Sequence, residues 1–334
     1  INKYTVWLTQ GDFFIIMNIK MQEFFMKKIV SQKQITYLRV SITDRCNLRC
    51  RYCMDEEGIE KFSHDDILRF EEIERLLEIF KKLGIKKIRF TGGEPFLRRG
   101  VLDFFEKIKD GFYVTTNLSI PSLDVERINN LPISGINISC DSLDPQKYRY
   151  ITRVGDFGIF MQNFKRLKIK NRKINVVLIK NFNDDEILKF IDFALRENVV
   201  LRFIEKMDFV KNSLKFLSLL PVREFLIKKG ILEKEFFTEG NSVAEYHFIK
   251  GTDLKIGFIT PVSKPFCFRC DKLRLKANGE LLSCLYSKES LNLKKLIRSG
   301  FSDREIIRFV VAFVKKADFP WSHKSLSAMV QIGG

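Results

Sequence analysis

No uninterrupted apolar run in this 334-residue chain approaches the ~20 residues that a membrane-crossing helix requires. FFIIM, at 13–17, is far too short, and no small-residue cleavage site follows it. A secretory signal is therefore not expected, and the expected location is the cytoplasm. Histidine is scarce: His64, His247 and His323 are scattered and receive no catalytic role. Acidic residues number 41 against 58 lysines and arginines, a formal charge of +17 that raises the question of nucleic acid. The lysines are spread along the chain without a compact arginine–aromatic block, so a composition bias with a small polyanionic ligand is the better reading. Disorder is excluded by a hydrophobic content of 45%. The length suffices for one large or two ordinary domains.

Cysteine is where the pattern concentrates. Cys46, Cys50 and Cys53 fall in YLRVSITDRCNLRCRYCM, and spacers of three and two residues place three thiolates around one point. A [4Fe–4S] cluster takes four thiolates in the usual case; three leave one iron open, which turns a structural site into a reactive one. Zinc would need a fourth ligand, for which His64 stands eleven residues on. A disulfide would leave one cysteine over and needs an oxidising compartment. Spacing favours iron and sulfur over both.

From Tyr37 onward, short apolar runs alternate with amphipathic segments, the mark of βα units. Strands are expected at Tyr37–Ile42, Lys87–Thr91, Tyr113–Thr116, Gly135–Cys140, Ile174–Ile179 and Val199–Ile204. The clearest helices are 70–84, with acids early, lysines late and Gly84 as a stop, and 184–198, opening on Asp184 or Asp185 as cap. The fold class is α/β: a partial (β/α)6 barrel of the TIM type, with chemistry at the C-terminal strand ends. The first cysteine loop follows strand one, Gly92–Pro95 follow strand two, Thr116-Asn117 end strand three, and Ser139 and Asp141 flank the end of strand four. Residues 1–33 read as an N-terminal extension, with Met26 as a plausible initiator. The barrel is expected over 34–207 and a C-terminal subdomain closing its open side over 208–334.

That subdomain carries Cys267, Cys270 and Cys284, spaced C-x2-C-x13-C. Zinc is again the plain alternative. No fourth ligand is apparent, His247 lying twenty residues upstream, so a second three-thiolate cluster is expected. Cys140, inside a strand, reads as a small buried hydrophobe.

The first cysteine loop, with Tyr52 before its last cysteine, resembles the signature of the radical S-adenosylmethionine (SAM) superfamily. With IRFTGGEPFLRR, NVVLIKNFNDDEI, LRFIEKM, the second cysteine set and the terminal IGG, the chain from about Tyr37 to Gly334 resembles the GTP 3′,8-cyclase family of molybdenum-cofactor biosynthesis. The resemblance implies two [4Fe–4S] clusters, on Cys46, Cys50 and Cys53 and on Cys267, Cys270 and Cys284, with SAM on the first. A 5′-deoxyadenosyl radical would take hydrogen from ribose C3′ of GTP, and C3′ would attack C8 to give 3′,8-cyclo-7,8-dihydro-GTP. It also implies a flavodoxin- or ferredoxin-like reductant, a cyclic pyranopterin monophosphate synthase downstream, and a homodimer.

Residue by residue, the resemblance places Tyr52, Gly93, Ser139 and Met207 around SAM. Arg39, Arg89, Thr115, Lys173, Lys272 and Arg274 would surround GTP, and Arg202, Gly333 and Gly334 would serve catalysis. Arginine forks bind phosphate and guanine oxygens in pairs, and Arg39 and Arg89 lie in strands that point into a barrel, where a buried arginine needs a partner. Gly92 and Gly93 allow a close backbone approach. Asp44, Asn47 and Glu94 are expected to hold loops through backbone hydrogen bonds. Two positions depart from the family pattern. Lys272 replaces an arginine, which predicts a weaker phosphate grip, and Leu118 replaces a glycine. Rival readings are another radical SAM enzyme that modifies a peptide, and a non-catalytic iron–sulfur or zinc protein that binds nucleic acid.

Overall fold

The computed structural model describes residues 35–210 and 212–316; the N-terminal extension and the Gly333-Gly334 pair lie outside the described residues. Six strands come first: β1 (Tyr37–Ser41), β2 (Lys87–Thr91), β3 (Phe112–Thr116), β4 (Ile133–Ser139), β5 (Arg172–Leu178) and β6 (Val200–Glu205). They pair in chain order, each parallel to the next. Parallel neighbours need a crossover, usually helical. Here α1 (Phe70–Lys82), α2 (Val101–Lys107), α3 (Val125–Asn129), α4 (Pro145–Thr152), α5 (Phe157–Arg166) and α6 (Ile187–Glu197) lie in those connections.

Alternation along the strands sorts the two faces of the sheet. Leu38, Val40, Phe90, Val114, Ile136, Ile138, Ile174 and Val176 are buried in one core with Ile73, Leu76 and Phe80 of α1, Phe104 and Phe105 of α2, and Phe160 and Phe164 of α5. The polar residues between them face the other way. α1 starts where the Glu72 carboxylate accepts from the Arg69 N–H at 2.7 Å and stops before Gly84 at φ +95°. α6 differs from expectation. Its acidic start is a short 3-10 turn at Asp184–Glu186, because the Glu186 side chain turns inward to accept from Ser142 Oγ and the Leu143 N–H.

After β6 come α7 (Leu219–Lys228), β7 (Glu245–Phe248), β8 (Lys255–Ile259), β9 (Lys272–Leu275), β10 (Glu280–Leu282), β11 (Leu291–Asn292), α8 (Leu293–Arg298) and α9 (Asp303–Lys316). Their strands join the same sheet at both edges, in the order β11-β10-β9-β1-β2-β3-β4-β5-β6-β8-β7. β9 pairs in parallel with β1 and β8 in parallel with β6. β7, β10 and β11 are antiparallel additions. Arg75 to Asp303 (2.8 Å) and Arg298 to Glu72 (2.7 Å) tie the last helices to α1. Among the described residues no helix is long and apolar enough to cross a membrane.

Candidate active site

The inner sheet face lines a cavity of ≈ 690 Å³ that runs from the strand starts at Tyr37, Lys87 and Lys272 to the C-terminal ends at Thr91, Thr116 and Ser139, so the site reaches beyond the strand ends expected to carry it. Arg39, Arg89, Thr115, Lys173, Arg202, Lys272 and Arg274 line it, as do Tyr52, Gly93, Ser139 and Met207 and all six clustered cysteines. The expected site residues within the described chain therefore share one enclosure.

The first cysteine loop leaves β1 at Ile42 and is clamped by the turn after β2. The Gly93 N–H donates to the Thr43 carbonyl at 2.7 Å and the Glu94 N–H to that of Arg45 at 2.8 Å. A Cβ on Gly92 would stand 2.6 Å from the Thr43 carbonyl oxygen, and one on Gly93 would overlap the Arg45 carbonyl. The chain's own loop thus demands both glycines. Glu94, buried, accepts from Thr116 Oγ1 (2.8 Å) and the Asn117 N–H (2.7 Å), and burial lifts its carboxyl to about 7. Asp44 accepts from the Phe62 N–H (2.7 Å), and Asn47 Nδ2 donates to the Ser119 carbonyl (2.9 Å). Tyr52 donates to Asp141 at 2.7 Å, whose other oxygen accepts from the Val177 N–H; burial raises Asp141 to about 6.

The second set owes its long spacer to a hairpin. Cys267 and Cys270 bracket a 3-10 turn ahead of β9, the chain reverses through β10 with Leu282 opposite Arg274, and Cys284 follows. The thirteen-residue spacer is therefore the hairpin itself. Met207 packs there with Phe209, Leu282, Leu285 and Tyr286.

Do these donors fit an iron–sulfur group? Among the described residues no three His, Cys, Asp or Glu side chains could hold a single metal ion, so the fit rests on donor chemistry. Burial, then Cys53, Asp141 and Cys46, push the Cys50 thiol well above its ordinary range; burial and Glu94 push Cys46 to about 12. Burial and the neighbouring thiols likewise raise Cys267. Buried thiols that repel one another as anions need a cationic centre, and a metal deprotonates its thiol ligands outright. The Leu48 N–H (3.4 Å) and Asn117 Nδ2 (3.8 Å) already face the Cys46 sulfur, and Tyr286 N–H faces that of Cys284 (3.5 Å). Hydrogen bonds to sulfur of this kind tune such clusters. Both sets fit.

Behind the cysteines, cations stand in rows. Register aligns Lys272, Tyr37 and Lys87 in one row and Arg274, Arg39, Arg89 and Tyr113 in the next. Thr115, Asn137 and Lys173 form another, with Asn175 opposite Arg202. Burial, followed by Arg274 and Arg89, drags Arg39 down to about 9; burial likewise lowers Arg274 and Arg202. Nε and Nη2 of Arg202, and Oδ1 of its neighbour Asn175, are buried without a hydrogen-bond partner. Such atoms call for a ligand.

Tyrosines sit among these charges, and the sequence reading missed them. Tyr37 accepts from Arg89 Nε at 2.5 Å, with the ammoniums of Lys87 and Lys272 5.0 and 5.3 Å from its ring centroid. Burial raises its phenol, but Arg89, Arg39 and Lys87 outweigh that and bring it down to about 8. Tyr113 lies under Lys87 and Tyr246 under Lys173. Tyr37 and Lys87 had a signal: YLRVS and KIRFT alternate, placing each on the face of Arg39 and Arg89. Tyr246 and Glu239 had none, since long-range pairing brings them in.

The Radical SAM superfamily profile matches residues 40–194 and that of Molybdenum Cofactor Synthesis C matches residues 199–319. A GTP 3′,8-cyclase of Syntrophomonas wolfei is 38% identical over 91% of this chain and 98% of its own length; one from Thermodesulfovibrio yellowstonii is 39% identical over 90% and 98%. Molybdenum cofactor biosynthesis protein 1 of Dictyostelium discoideum is 39% identical over 84% of this chain and 47% of its own. In fold, the chain is similar to Streptococcus suis SuiB bound to S-adenosylmethionine, with a TM-score of 0.56 at 15% identity over 93% of this chain and 74% of SuiB.

Proposed function

The chain belongs to the GTP 3′,8-cyclase family of the radical SAM superfamily, and we propose that its cavity converts GTP to 3′,8-cyclo-7,8-dihydro-GTP, the first step of molybdenum-cofactor biosynthesis. One observation carries the reading. Seven cationic side chains, Arg39, Lys87, Arg89, Lys173, Arg202, Lys272 and Arg274, turn into one enclosure beside two sets of three thiols. Burying so much like charge is costly, and a nucleoside triphosphate offsets it.

Membership implies a [4Fe–4S] cluster and SAM; Cys46, Cys50 and Cys53 would hold the cluster, which with SAM would supply the radical chemistry for hydrogen abstraction at ribose C3′. The protein's own work is positioning and exclusion of water. Tyr52, Gly93, Ser139 and Met207 would embrace SAM, with Asp141 fixing the Tyr52 hydroxyl. Arg39, Arg89, Lys173, Lys272 and Arg274 would grip the triphosphate, and Thr115 would lie beside them. Arg202, with two unpartnered nitrogens, would donate to the nucleotide next to the reacting carbons. Cys267, Cys270 and Cys284 would hold a second [4Fe–4S] cluster, which would supply a binding point for the guanine. Gly333 and Gly334, without side chains, would reach into the crowded channel during turnover.

In the wider reading, residues 34–207 form a partial (β/α)6 barrel and 208–334 a subdomain that closes it. The strands added at both sheet edges favour such a closure. The enzyme would work in the cytoplasm as a homodimer, reduced by a flavodoxin- or ferredoxin-like donor. It would hand its product to cyclic pyranopterin monophosphate synthase. The test is anaerobic incubation of reconstituted protein with SAM, dithionite and either GTP or a peptide. The reading requires 5′-deoxyadenosine and the cyclised nucleotide with GTP; radical formation answering only to peptide would replace it with the rival enzyme.

A further inference from the structure

The segment between Phe237 and β7 sends one acidic side chain, Glu239, into this cation-lined enclosure. Glu239 Oε2 accepts from Lys173 Nζ at 2.7 Å, and Oε1 pairs with Lys255. Both lysines lie over the Tyr246 ring, 5.4 and 5.5 Å from its centroid. Lys173 belongs to β5, opposite Asn137, so the carboxylate reaches the inner sheet face from a loop outside the parallel strands. That loop turns at Gly240, φ +54°, where the Ser242 N–H donates to the Glu239 carbonyl at 3.0 Å. Burial works against the charge, yet the two lysines bring the Glu239 carboxyl down to about 2, so it is an anion at any working pH.

We propose that Glu239 moderates phosphate affinity by occupying, on Lys173, the place of a ligand phosphate oxygen, and that a polyanionic nucleotide displaces it. The proposal rests on the GTP reading. Two features make the displacement workable. The Glu239 side chain is 34% exposed where Lys173 is 17% exposed, so the carboxylate can swing toward water while the lysine stays. Lys255, at 24%, is not among the cavity-lining residues and keeps hold of the displaced carboxylate. A nucleoside without phosphates has nothing to set against Lys173 and must leave Glu239 where it is. Glu239 thereby keeps Lys173 paired while the cavity is empty and lowers the affinity of every phosphate-bearing ligand by the cost of its displacement.

The experiment compares the reconstituted full chain with its Glu239→Gln variant by equilibrium binding of GTP, GDP, GMP, guanosine and inorganic triphosphate. Removing the competitor tightens GTP and triphosphate about two- to five-fold, the range of a partly exposed ion pair. The gain shrinks as phosphates are lost and vanishes for guanosine. Weaker or unchanged GTP binding in the variant, or an equal gain for guanosine, overturns the proposal. A Lys255→Met chain gives the opposite sign, since Glu239 then has Lys173 alone and competes harder; tighter GTP binding there also overturns it. Should the wild type ignore GTP while triphosphate still shows the gain, the GTP reading falls and the displacement stands.

Discussion

The first cysteine loop is gripped from several sides, by Gly93 and Glu94 along one edge, by Arg153 Nη1 on the Arg49 and Met54 carbonyls, and by the end of α4, whose Thr152 and Ile151 carbonyls take the Arg49 and Arg51 N–H groups at 3.0 and 2.9 Å. The second takes its place chiefly from strand pairing: β9 lies on β1, and the return through β10 delivers Cys284. A loop clamped by its surroundings holds a reactive group to a fixed line, as radical chemistry requires. A loop hung on a hairpin tolerates some give, which suits the substrate-binding role proposed for it.

Five tests break or sharpen that contrast, the largest expected effect first. Cys50→Ala removes a ligand from the clamped loop, and no 5′-deoxyadenosine should form with any substrate. Cys270→Ala should still form 5′-deoxyadenosine but no cyclised nucleotide. Chromatography of anaerobic reactions reads both, and equal loss of radical formation in the two variants would erase the division of labour. Next, Arg274→Ala takes a buried fork from the hairpin strand and should raise the KM for GTP by on the order of 30- to 1000-fold, as loss of about 2–4 kcal/mol implies. SAM binding, on the other side, should change little.

Tyr37, between the two regions, supplies the pH prediction. Its folded-state value of about 8 lies below the ordinary 10, so the fold favours the phenolate. That contribution is full above pH 10 and is lost as pH falls through 8. Phenolate absorbance against a Tyr37→Phe reference should show one tyrosine ionising early, and GTP, by offsetting Arg89, Arg39 and Lys87, should move it back up. Titration at the ordinary value in both states counts against the cation rows. The smallest effect is Lys272→Arg, which restores a fork beside Asp271 (2.8 Å from Lys272 Nζ) and should lower the KM for GTP about two- to five-fold; an unaltered value contradicts the weaker grip read from lysine.

The six strands were legible because each alternates or runs apolar between turn signals, and every bound lies within two residues of expectation. β3 and β4 begin earlier than expected, at Phe112 and Ile133. The added strands β7 to β11 were not foreseen, being short and joined to the sheet through the long-range pairs β9 with β1 and β8 with β6. The glycine departure at 118 has a local meaning that sequence spacing could not supply. Leu118 sits at φ +54°, where glycine is at ease and leucine is strained, yet its side chain is fully buried and its carbonyl accepts from Asn163 at 2.8 Å. Packing there outweighs backbone strain. Motif spacing located the cysteines, and strand alternation could have located Tyr37 and Lys87. Glu239, on a loop with no motif, became visible only through Lys173.

The most direct measurement is electron paramagnetic resonance of the reduced, anaerobically reconstituted protein, titrated separately with SAM and GTP. SAM should change a signal that Cys50→Ala abolishes, and GTP one that Cys270→Ala abolishes. Two ligands altering the same signal, or neither altering any, would contradict a single cavity served by two differently mounted clusters.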